Sequence, residues 1–208
     1  MNKEIQQATA SEPLSLEEEY KMQQGWRTDA DKLTFITCLP QTGEQTDVIA
    51  GEADGPTRMI GDVNLFLTED NSDEDENRDS NTLVGEIELM ITTKEHRGRG
   101  YGRASLLAFL QFLHAHEEDI LKEYSQTRQS SRSLSSSLAY LRVKIAESNG
   151  RSIWLFESVG FQKVSAEANY FGEVELRLVQ PLSETLVSLR AKFGIAEYRE
   201  LHYGSRVV

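Results

Sequence analysis

Stretches in which apolar and polar residues alternate are separated along this chain from stretches in which apolar residues recur every three or four positions. Alternation places every second side chain on one face of a strand, whereas the longer period gathers apolar side chains on one side of a helix. Ser15-Leu16-Glu17-Glu18 has the form of a capping box and predicts a short helix to about Gln24, with Pro13 just ahead of it. Residues 33–39 are β-rich and end at Pro40-Gln41-Thr42-Gly43; residues 41–57 have no period and predict a loop. Strands follow at 59–67 and 86–91. A helix spans 104–121, with Leu106, Leu107, Phe109, Leu110, Phe112 and Leu113 as a wide apolar stripe. Residues 140–146 predict a further strand, 148–160 a turn and a helix stopped by Gly160, and 161–164 and 173–179 two closing strands. A last helix at about 183–192 precedes a polar tail. A helix between two strands, then a helix and a hairpin, predicts an α/β (α+β) fold: a mixed central sheet flanked by helices.

Two stretches interrupt this pattern. Residues 69–81 are polar throughout and rich in carboxylates, cannot bury anything, and predict a mobile hairpin loop; they lack the order of carboxylates that a calcium loop needs. Residues 125–137 are serine-rich and predict a flexible insertion. The main domain is expected over 1–180, with the C-terminal helix and tail over 181–208.

Composition narrows the function. With 208 residues the chain can bury one sizeable core. Acidic residues outnumber basic ones 34 to 22, for a formal charge of −12, which argues against nonspecific nucleic-acid binding and suits a cationic substrate. The single cysteine, Cys38, excludes an intramolecular disulfide and a cysteine metal cluster, and His114 and His116 are two apart, pointing to different helix faces; no metal is expected. A leader and an 18-residue apolar run are both missing from the sequence, so a cytoplasmic or nuclear location is expected, with no membrane span.

The chemistry concentrates where the strand 86–91 gives way to the helix. Arg97-Gly98-Arg99-Gly100-Tyr101-Gly102-Arg103 combines glycines that admit positive φ, a new helix with unpaired N–H groups, and three arginines whose field opposes that of the whole chain. Such a turn suits a pyrophosphate. A dinucleotide fingerprint would need glycine at Arg103, and a Walker loop would need Gly-Lys-Ser/Thr, so neither fits.

Arg97-x-x-Gly100-x-Gly102 resembles the acyl-CoA motif of the GNAT superfamily of N-acetyltransferases, in which backbone amides of the turn hold the CoA pyrophosphate. About fifty residues on, Asn149-x-x-Ser152-x-x-x-Phe156-x-x-x-Gly160-Phe161 resembles the second signature of that superfamily. Residues 9–17, 29–36, 61–68, 85–91 and 173–178 are similar to the N-acetyltransferase 9-like family, described as protein N-acetyltransferases with tubulin N-termini the proposed target. The resemblance implies a GNAT fold, acetyl-CoA as cosubstrate, and a protein N-terminus, tubulin among the candidates, as acceptor. It implies too that the strand carrying Glu86 parts from the strand carrying Lys144, with the backbone at Met90, Ile91 and Thr92 along the acyl arm, and that transfer is direct. Asn149 and Ser152 complete the implied cofactor site. Members begin with a further strand, so the sheet is expected to lack its first strand and to leave an edge open.

For the base, Glu86 and Glu88 share one strand face, with a structural role the competing reading; Tyr170, in the closing hairpin loop, is a candidate acid. Lys144 and Phe156 stand where many relatives in the superfamily carry a carboxylate and a tyrosine. Deprotonating a lysine, pKa about 10.4, costs about 3.4 kcal/mol more than deprotonating an α-amine near 7.7–8.0, so a site without those groups favours the α-amine. Two further readings stand beside this one: acetylation of a small polyamine, and a CoA-binding or microtubule-associated module with little turnover.

Overall fold

The computed structural model describes residues 14–41, 43, 47–70, 83–127, 137–195 and 197–204. Helix α1 (Leu16–Trp26) starts at the capping box: the Ser15 hydroxyl accepts from Glu18 N–H, and the Glu18 carboxylate accepts from Ser15 N–H at 2.8 Å. Strands β1 (Lys32–Cys38), β2 (Asp47–Ile49), β3 (Met59–Glu69) and β4 (Leu83–Ile91) follow, then helix α2 (Tyr101–Thr127) and strand β5 (Leu141–Ala146). Helix α3 (Gly150–Ser158), strands β6 (Gln162–Lys163) and β7 (Glu173–Leu178), helix α4 (Leu182–Phe193) and strand β8 (His202–Gly204) complete the order.

Six strands form one sheet in the order β1-β3-β4-β5-β7-β6. All its pairings are antiparallel except β4 with β5, whose parallel course requires the crossover that α2 supplies. Alternation then decides the two faces. Val63, Leu65 and Leu67 of β3, Ile87 of β4, Val143 and Ile145 of β5, and Val174 and Leu176 of β7 enter the core with the α2 stripe, Leu106, Leu110 and Leu113. Leu186 and Leu189 of α4 join the same core, as do Ile153 and Phe156 of α3. Each such side chain withdrawn from water contributes ~1.5–3 kcal/mol. The opposite face carries Asp62, Asn64, Glu86, Glu88, Arg142 and Lys144.

Three expectations need revision. Residues 41–57 contain β2, and the polar tail contains β8; the two pair in parallel as a separate two-stranded sheet, which segments of three residues are too short to announce by any period. Ser125 and Thr127, placed in the serine-rich insertion, are the last turn of α2, their hydroxyls donating to the carbonyls of Lys122 and Glu123. Residues 128–136 of that stretch, and 71–81 of the acidic stretch, lie outside the described residues; β3 and β4 do pair antiparallel up to Glu69↔Leu83.

At Gly61 the backbones of β3 and β4 come too close for a side chain: a Cβ there would lie 2.0 Å from the Met90 carbonyl oxygen. Gly25, in the last turn of α1, has open space instead. Gly61→Ala is expected to cost about 1–3 kcal/mol in urea denaturation, through displacement of β4, while Gly25→Ala raises stability by roughly 0.5–1 kcal/mol.

Candidate active site

Strands β4 and β5 meet only at Gly85↔Leu141 and Glu86↔Arg142. Past these pairs β4 stays with β3 as far as Gly61↔Ile91, and β5 stays with β7 as far as Ala146↔Glu173. Each strand is therefore held by its outer neighbour while the two diverge. Arg142 Nε donates to Glu86 Oε2 at 2.8 Å at the fork, and Lys144 Nζ reaches across to the same oxygen at 3.1 Å.

The fork leaves backbone groups of β4 without a strand to bond. Thr92 N–H donates to the Ile60 carbonyl at 2.8 Å, which sets the phase, because bonding directions alternate along a strand. The Met90 amide then also faces β3, and the Ile91 amide faces the gap. Of the three positions expected along an acyl arm, Ile91 alone presents its N–H there; Met90 and Thr92 are committed to β3.

Beyond β4 a single turn of 3-10 helix, Lys94–His96, leads into the glycine turn. Arg97 does not stand free for a phosphate: its Nε donates to the Ile91 carbonyl at 2.8 Å and its Nη2 to that of Thr92 at 3.1 Å, fastening the turn to the strand. Gly98 and Gly100 have φ of 74° and 89°, which only glycine adopts without strain. Gly102 has room for a Cβ at ordinary contact distance, 3.4 Å from Leu155 and 3.6 Å from Leu89. The first helical bond of α2 runs from Ala104 N–H to Gly100 O at 2.9 Å, so the amides of Tyr101, Gly102 and Arg103 have no helical acceptor. Tyr101 rests edge-on against His96, 5.8 Å between centroids. The Arg103 guanidinium lies over the rings of Phe193 at 4.7 Å and Trp154 at 5.2 Å, so this arginine ties three helices together. Arg99 is exposed, leaving its charge to the mouth of the turn.

Across the gap, β5 ends at the start of α3. Asn149 is its N-cap, its side-chain oxygen accepting from Ser152 N–H at 3.2 Å. The two sequence motifs thus stand at the ends of the two diverging strands, each at a helix N-terminus with the dipole's positive end exposed. A phosphate-bearing group with a slender arm fits this arrangement: free amides and Arg99 at one end, an unpaired strand edge at the other.

The three candidate catalytic residues separate. Glu86 is engaged by two cations at the fork. Glu88, one turn of the pleat further on, is exposed at the surface, yet the protein around it displaces part of its water. That desolvation, then the nearby Glu86 charge and Asp62, push its carboxyl above the ordinary 4.5, and Lys32 pulls it back. Tyr170 is 97% exposed, its ring touching Phe171, on a loop next to the end of β5, where Glu147 N–H donates to Gly172 O at 2.9 Å. Phe156 is buried against Phe161 and cannot take part.

Asp62 and Lys32 belong to this face and were not singled out in the sequence. Alternation had the signal for Asp62, since Val63 and Leu65 face the core and their polar neighbours must face away. Desolvation raises the Asp62 carboxyl, against a hydrogen bond from Asn64 and the Lys32 charge; burial lowers the Lys32 ammonium.

The Acetyltransferase (GNAT) domain family matches residues 2–162 of the chain. The chain belongs to the GNAT acetyltransferases. It is 38% identical over 201 residues to the N-acetyltransferase 9-like protein of Schizosaccharomyces pombe, covering 86% of this chain and 84% of that one, which places it in the N-acetyltransferase 9-like family. The Alpha/beta-tubulin-N-acetyltransferase 9 of Homo sapiens is 36% identical, over 88% of this chain and 72% of its own length. The fold matches the crystal structure of spermidine N-acetyltransferase from Vibrio cholerae in complex with CoA and spermine, with a TM-score of 0.54 and 18% identity over 89% of this chain and 86% of that one. This GNAT chain is therefore an enzyme, an acetyltransferase, with the fold that its two motifs implied.

A carboxyl raised on folding weakens the fold at neutral pH. Between 4.5 and the raised value the folded chain holds a proton that the unfolded chain has released, so stability falls as pH rises through that window. Glu88→Gln is expected to be more stable than wild type at pH 7, and the difference to shrink as pH falls through that window toward 4.5, in paired thermal melts.

Proposed function

We propose that this acetyltransferase moves the acetyl group of acetyl-CoA to the α-amine at a protein N-terminus, directly, with Glu88 as proton acceptor. The observation that carries the reading is the fork between β4 and β5. It ends in a turn with free amides on one side, and opens beside a raised carboxyl on the polar face. Acetyl-CoA supplies the thioester when bound. The amides of Tyr101, Gly102 and Arg103, with Arg99, would hold its diphosphate, the Ile91 N–H would pair with its arm, and Asn149 and Ser152 would line the far side.

Glu88 takes the amine proton as the C–N bond forms and the C–S bond breaks, and passes it to the departing sulfur or to solvent. Its raised proton affinity suits this role, and Glu86, neutralised by Arg142 and Lys144, is left to brace the fork. Tyr170, in solvent, is a contact for the acceptor at the loop rather than the acid. The energetic argument for an α-amine stands: roughly a tenth of such groups are neutral at pH 7, against well under a thousandth of lysines. Relatives that carry tubulin in their names support tubulin as the acceptor, and a cytoplasmic location goes with it. The carboxylates Asp29, Asp31, Asp62 and Glu88 around Lys32 favour cations generally, so a small polyamine is the second reading.

The test is acetyl-CoA-dependent thiol release with three acceptors: peptides with free N-termini, the same peptides N-blocked but carrying an internal lysine, and spermine. Turnover is expected to be fastest with free N-termini; faster turnover with either of the others overturns the acceptor assignment. Gly100→Val, which forces a β-branched residue to φ of 89°, is expected to weaken acetyl-CoA binding about tenfold or more by calorimetry.

A further inference from the structure

Glu88 has fixed neighbours on its face of the sheet. Register sets Thr34 of β1 opposite Asn64 of β3, and Asn64 opposite Glu88, with Asp62 on the same face one diagonal step away. Thr34 Oγ1 donates to Asn64 Oδ1 at 2.7 Å, and Asn64 Nδ2 donates to Asp62 Oδ2 at 2.7 Å. That chain of bonds holds the Asp62 carboxylate in one orientation. Lys32, at the start of β1, is held differently: its ammonium lies 3.8 Å from the centroid of the Trp26 ring and 4.7 Å from that of Phe66. Two charged side chains of this face are thus held in place, one by hydrogen bonds and one by aromatic rings.

We propose that Asp62 and Lys32 are positioning residues for the transfer step, a fixed negative and a fixed positive neighbour whose balance sets how readily Glu88 takes the acceptor's proton. The inference rests on Glu88 as the proton acceptor. Physically, a carboxylate beside a base makes it cling to a proton, and an ammonium makes it let go. Of the other charges facing this group, Glu86 on β4 raises the Glu88 carboxyl more than Asp62 does; it is held at the fork by Arg142 and Lys144 of β5 and is unchanged in every variant below, and Asp29 and Asp31 ahead of β1 act on Lys32. Across α1 the neighbour is the Trp26 ring.

The pH dependence of kcat/KM with a free N-terminal peptide separates tuning from mere support. The acceptor's own ionisation is common to every variant and cancels. Asp62→Asn is expected to move the acid limb to lower pH, and Lys32→Met, which keeps the stem between the two rings, to move it to higher pH. The double variant returns toward the wild-type limb, Asp62→Glu keeps it, and Thr34→Val moves it as Asp62→Asn does but less. Carboxyl NMR titration of Glu88 without substrates should give the same signs, including for variants too slow to assay. Limbs and titrations that stay put in both single variants, with rates lowered equally at all pH values, overturn the proposal. Separately, Glu88→Gln is expected to cost about 100-fold or more; a wild-type rate in that variant removes the proton acceptor itself, whatever the limbs do.

Discussion

The organisation of this molecule depends on two strands that stop bonding to each other after two residue pairs. A parallel pair gains its stability from evenly spaced slanted bonds, and β4 and β5 give most of theirs up. What makes that tolerable is that each keeps its other edge paired, β4 along β3 and β5 along β7. The unbonded backbone is therefore confined to one seam. Backbone groups left without partners in a folded protein are costly unless water or a ligand meets them, so a seam of this kind is a place made for something to enter. The glycine turn and the Asn149 cap stand at its two rims for the same reason, since both follow directly from where the two strands end.

Charge is distributed around the seam with a division of labour. Glu86 accepts from both Arg142 and Lys144 where the strands part, and the three brace the fork. Further along, Asp62 and Glu88 are both desolvated carboxylates, with a single ammonium, Lys32, in reach of both. The polar face thus carries charge of both signs, Asp62, Glu86 and Glu88 among Lys32, Arg142 and Lys144, while the exposed Arg99 leaves positive charge at the turn.

Much of this was legible in the sequence, and the failures have physical causes. The capping box at Ser15 and Glu18, the alternation in β3 and β4, and the Gly98 and Gly100 turn are local signals, and each appears as read. The charge of Arg97 and Arg103 is legible locally, but not where each guanidinium is held: Arg97 on the carbonyls of Ile91 and Thr92 just behind it, Arg103 over the rings of Trp154 and Phe193 far along the chain. Asp62 acquires meaning only once register puts β3 beside β4. The β2 and β8 pairing joins segments about 150 residues apart, each too short to carry a period.

The loop between β6 and β7 is fastened by one residue. Asn169 accepts from the N–H groups of Phe171 and Glu173 through its side chain and from Gly172 through its carbonyl, which holds Tyr170 and Phe171 upright, 97% and 81% exposed. Two rings presented by a backbone already frozen have little freedom left to lose when another surface settles on them. Drying them would return the water they now order, so contact at this corner of the molecule is favoured by entropy on both counts.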